Sequence, residues 1–92
     1  MPHPIDPFPP LDPDAPGREV ARLADGVAAT LRIAQALVES DRRVDLSGLD
    51  RMVGVLCARM LDLPADQGRL LQPRLVTLLL ELDRLAIALP PP

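Results

Sequence analysis

Hydrophobic side chains toward the end of the chain recur at helical spacing. Leu71, Leu75, Leu78, Leu82, Leu85 and Leu89 follow alternating steps of four and three, the a/d seam of an amphipathic helix packed against other helices. A second apolar stripe, Val76, Leu80 and Ile87, lies off this seam by about a third of a turn at ~100° per residue. Arg74, Thr77, Glu81, Arg84 and Ala88 are left as the wet face. One stripe is enough to join a small bundle, so the second is surplus.

The earlier part of the chain predicts two more helices. Val20, Leu23, Val27, Leu31, Ala34 and Val38 fall within a narrow arc, with Ala24 beside them, over a helix from about Arg18 to Asp41. Gly26 inside it is unfavourable by ~1 kcal/mol relative to Ala. Beside Ala29, Thr30, Ile33 and Leu37, it marks either a close approach by a neighbouring backbone or a wet flank. Arg42 and Arg43 follow and complement the dipole of the helix end. The second helix starts with Ser47 and Asp50 as a capping box, or with Asp45 as cap and Val44 stapled to Leu49. It ends near Leu61 and buries Leu49, Met52, Val53, Leu56, Met60 and Leu63.

Pro64 stops that helix. Gly68 and Pro73 then divide the remainder into a short segment, 64–71, and a long helix from Pro73 to Leu89, a single kinked helix being the alternative. The expected fold is all-α: a small antiparallel three-helix bundle with a short extra helical segment. An extended proline-rich arm, residues 1–16, precedes a bundle domain, 17–92.

Within the arm, Pro4, Pro7, Pro10, Pro13 and Pro16 fall at every third position. Three residues per turn is the repeat of a polyproline II helix, on which these prolines form one ridge. Ile5, Phe8 and Leu11 then share a second face. The arm is either a solvated tail or an apolar rod that docks into a groove on this chain or on a partner.

Composition narrows the class. Apolar residues make up 48% of the chain, yet Phe8 is the only aromatic, so the core must be aliphatic, which suits interdigitating helices better than sheets. The ten basic residues are all Arg, which together with the abundant Ala, Leu, Asp and Pro matches a high-GC bacterial composition. Net charge is −3, with signs alternating along the chain, so the basic patch of a nucleic-acid binder is missing. The candidate recognition helices also lack a base-reading first turn, which sets a helix-turn-helix aside. Arg74, Glu81, Asp83 and Arg84 interrupt the Leu-rich run, leaving no uncharged window of ~20 residues for a membrane span. A single cysteine and an opening without a basic-then-apolar leader point to the cytoplasm.

Candidate chemistry is sparse. His3 is the only histidine and has no second ligand at metal spacing. Cys57 lies on the flank of a buried helical face, where cysteine is ordinarily a small hydrophobe. Asp62 and Asp66 read as dipole and cap residues, and the glycines are too dispersed for a phosphate loop. No catalytic, cofactor or metal site is expected. The expected function is a non-enzymatic protein–protein interaction module: a small adaptor, regulator or assembly chaperone. Its partner is another protein or a second copy of itself, bound through Val76, Leu80 and Ile87, through Ile5, Phe8 and Leu11, or both. The alternative is a noncatalytic accessory subunit of a larger enzyme.

Overall fold

In a computed structural model, which describes residues 12–89, the chain forms three α-helices and, among the described residues, no strand. They are α1 (Ala15–Glu39), α2 (Ser47–Leu61) and α3 (Ala65–Ala88). This is the expected all-α three-helix bundle. Ile5, Phe8, Leu11 and the polyproline reading of residues 1–11 lie outside the described residues. The end of α2, at Arg59, Asp62 and Leu63, lies beside the start of α1, at Pro16, Glu19 and Val20. The start of α3 is tied to the start of α1 through Gln67 and Arg74, so the helices run up, down and up.

The core takes Val20, Ala24, Val27, Leu31 and Ala34 from α1, Leu49, Val53 and Leu56 from α2, and Leu78 and Leu85 from α3. Leu71, Leu75 and Leu82 pack against it from the same seam, as do Met52, Met60 and Leu63. The period-3.5 pattern on α3 thus marks its inward face. Contact is broadest between α1 and α3 and narrowest between α2 and α3.

The expected break before Pro73 does not occur. Residues 64–71 are not a separate segment: α3 runs unbroken from Ala65 with Pro73 inside it. Proline deletes one N–H from the ladder, but its ring faces solvent, and Leu71 and Leu75 on either side pack into the same core as Leu78. Burial on both sides of the proline holds the two halves in one helix, as the alternative of a single helix had it, overriding local preference. Thr77 Oγ1 also donates to the Pro73 carbonyl at 3.1 Å.

Helix ends show further differences. The first helix starts earlier than expected, taking Ala15 and Pro16 from the arm. Proline in a first turn forfeits an N–H that has no helical partner there, so Pro16 continues the triplet spacing in sequence while starting a helix in space. At the other end, Asp41 has φ 57°. Its N–H reaches the Val38 carbonyl at 3.0 Å, and the Arg42 N–H reaches Leu37 at 2.8 Å. This is a Schellman closure with aspartate where glycine is usual, and it ends the helix at Glu39. At α2, Ser47 lies inside the helix and makes no capping box; its N–H donates to Asp45 Oδ1 at 2.9 Å. Asp62 sits at the C-terminal end of α2, where a carboxylate opposes the dipole, so only Asp66, in the first turn of α3, fits a dipole role.

Gly26 is exposed, and a Cβ built there meets nothing within 4 Å, so no backbone approaches it. Gly17 is the glycine under constraint: its Cβ would stand 2.8 Å from Gln67 Oε1. Gly26→Ala is therefore expected to raise the unfolding free energy by about 0.5–1 kcal/mol. Gly17→Ala should show no such gain, the helical benefit being offset by displacement of Gln67. Parallel denaturant melts check the contrast.

Two carboxylates are held below the ordinary aspartate value. For Asp12 the cause is first the Arg18 guanidinium hydrogen-bonded to it, then the Asp14 N–H; for Asp45 it is the Ser47 N–H, then the Ser47 side chain. A lowered folded-state pKa means that the stabilisation is present above about pH 3.9 and is lost as pH falls through the lowered value. Carboxyl-carbon NMR titration should place both midpoints below ordinary aspartate, with the Asp14 and Ser47 amide shifts following the same curves.

Candidate partner-binding face

The surplus stripe stays outside the bundle. Val76 is 47% exposed, Leu80 55% and Ile87 77%. Helical arithmetic places them about 160° from the Leu71–Leu89 seam, nearer to half a turn than to a third, so the seam's own partners cannot cover them. Leu79, 40% exposed, joins Val76 and Leu80 at i, i+3 and i+4 and was not among the expected binding residues. The continuous run Leu78-Leu79-Leu80 hides it, because one member is core and the next two are surface. Spacing from Val76 was the signal that would have found it.

The wet face also needs correction. Thr77, Arg84 and Ala88 are exposed, but Arg74 is half-buried and reaches α1. It forms an ion pair with Asp25, and its Nη1 approaches the Ala21 carbonyl at 3.5 Å. Glu81 is half-buried as well.

The narrow contact between α2 and α3 leaves an open apolar groove of about 410 Å³ between them, lined by Cys57, Met60, Leu61, Gly68, Gln72 and Leu75, among others. Leu61 stands on its edge, 86% exposed. Gln72 and Leu75 lie along α3 just before Val76 and Leu79, so groove and stripe are successive parts of one surface. A second groove, about 370 Å³, lies between the end of α1 and the start of α2, with Ile33, Leu37 and Met52 on its walls. Cys57 is half-buried, and no group of three or more His, Cys, Asp or Glu among the described residues could hold a metal ion. Among the described residues no helix is long and apolar enough to cross a membrane. What the surface offers is apolar area bordered by single charges, which suits another apolar helix.

The chain matches no protein-family model, and the comparisons with curated proteins and with solved structures gave no match.

Proposed function

We propose that this chain is a non-enzymatic protein-interaction module, an adaptor, regulator or assembly chaperone, that engages another protein chain through the outer face of α3. The observation that carries this reading is the exposure of Val76, Leu79, Leu80 and Ile87 on a helix whose opposite face already fills the core. Exposed aliphatic side chains are ordinary when scattered singly; Val76, Leu79 and Leu80 adjoin one another, with Ile87 beyond Asp83 on the same face, a grouping of the kind that marks association. The aliphatic groove beside Leu61 extends it. The apolar triplet Ile5, Phe8 and Leu11 is a second candidate element of the same role.

A photo-crosslinking side chain placed at Leu80 or Ile87, in the cells that make this protein, tests the reading. The expected result is a covalent adduct with a protein chain at both positions and none from the same probe at Arg51, an exposed residue of α2. Absence of any adduct at both α3 positions would overturn it. An adduct with an enzyme would make the module an accessory subunit.

A further inference from the structure

We infer that the occupant of the α3 face is a second copy of this chain, docked antiparallel across a two-fold axis at Val76. This rests on the proposed interaction role and names its partner. The face is broader than its exposed leucines. Ala65, Arg69, Gln72, Val76, Leu80, Asp83 and Ile87 fall within an arc of about 80° at ~100° per residue, a second seam along the length of α3. Its composition is symmetric at the outer positions, where residues equally far from Val76 complement each other, whereas Leu80, four residues after, falls opposite the polar Gln72, four before. Asp83 lies seven residues after Val76 and Arg69 seven before; Ile87 lies eleven after and Ala65 eleven before.

Two α3 helices laid antiparallel with Val76 on Val76 therefore place Asp83 of each copy opposite Arg69 of the other. Among the described residues, ion pairs join only Arg18 with Asp12 and Arg74 with Asp25. The exposed Arg69 and Asp83 are thus available for two intermolecular pairs. The same register lays Ile87 over Ala65 of the second copy, beside its exposed Leu61 and the α2–α3 groove. A parallel arrangement would set Asp83 against Asp83 and Arg69 against Arg69, like charges at both positions. Charge thus selects the antiparallel register, as flanking charges do in coiled coils.

The size of the contact sets its strength. A seam of ~33 Å by ~12 Å covers about 400 Å² on each copy. The total of about 800 Å² is below the range of stable specific interfaces, so the dimer is weak and reversible, with a dissociation constant no tighter than about the micromolar range.

Sedimentation equilibrium on the full chain, from about 1 μM to 1 mM, provides the test, with circular dichroism melts confirming that each variant folds. R69D and D83R are each expected to weaken dimerisation at least ~10-fold, and R69D/D83R to restore it to within ~3-fold. In a Cys57→Ser background, Val76→Cys should oxidise to a self-linked dimer and Ile87→Cys should not. A strict monomer across the whole range overturns the dimer, and so does a dimer insensitive to both charge reversals. If the photo-probe at Leu80 then captures a different protein, the interaction role stands without this partner; if it captures nothing, both fail.

Discussion

Leu56→Ala is expected to lower the unfolding free energy by about 2–5 kcal/mol. Leu56 is the most enclosed side chain of the bundle, with 0% of its surface exposed. It belongs to a core cluster drawn from all three helices, where the space left by the missing carbons closes only in part, and the lost transfer energy is joined by the lost contacts around the cavity. A domain of this size has about 5–15 kcal/mol in total, so the substitution removes a large share of the margin. At about 4–8 °C per kcal/mol for a domain of 60–100 residues, the midpoint should fall by roughly 8–40 °C. Leu80→Ala, the same change on the outer face of α3, should move stability by no more than about 0.5 kcal/mol at concentrations where the protein is monomeric. Equal effects at the two positions would contradict the assignment of inner and outer faces.

Gln67→Leu is expected to cost about 2–3 kcal/mol, far more than a polar-to-apolar change near a helix start usually does. Among the described residues Gln67 is the one buried polar side chain, and it belongs to α3 while serving α1. Its Oε1 accepts the Gly17 N–H at 2.8 Å and its Nε2 donates to the Pro13 carbonyl. Helix α1 has no side-chain cap of its own, and Pro16 brings no N–H, so the amide supplies from another helix what a local cap ordinarily would. Leucine would fill the space and leave both backbone groups unpartnered. The same clamp predicts a difference between truncations: a chain beginning at Asp12 keeps it, whereas one beginning at Arg18 has lost both backbone partners and should be less stable by about 2 kcal/mol. Denaturant unfolding of the two truncations and the point variant measures all three.

The inward faces could be read from spacing because they repeat. Val20 to Ala34 and Leu71 to Leu85 each offer several positions in phase, and one misread residue does not disturb the period. Val76, Leu80 and Ile87 were legible for the same reason, as leucine-type residues beyond what the core seam requires. Features that depend on one residue meeting a distant one were not legible. Gln67 has no periodic signature, and its value comes from Gly17 and Pro13, about fifty positions earlier. Arg74 looked solvent-facing because nothing local shows that Asp25 waits across the α1–α3 contact. Proline misleads in both directions: Pro73 reads as a break although packing on both sides carries the helix through it, and Pro16 reads as part of the arm although it lies in the first turn of α1. Gly26 suggested an intimate contact that belongs instead to Gly17.

The Gln67 clamp also governs the eleven residues that precede Asp12. Their root is pinned at one end of the bundle, and an extended chain of that length reaches at most about 36–40 Å. Ile5, seven residues before Asp12, would then reach at most about 23–25 Å and Phe8 about 13–14 Å, and a contact of theirs within those distances would be made at an effective concentration in about the millimolar range. A foothold too feeble to retain a loose peptide is sufficient for a segment leashed in this way.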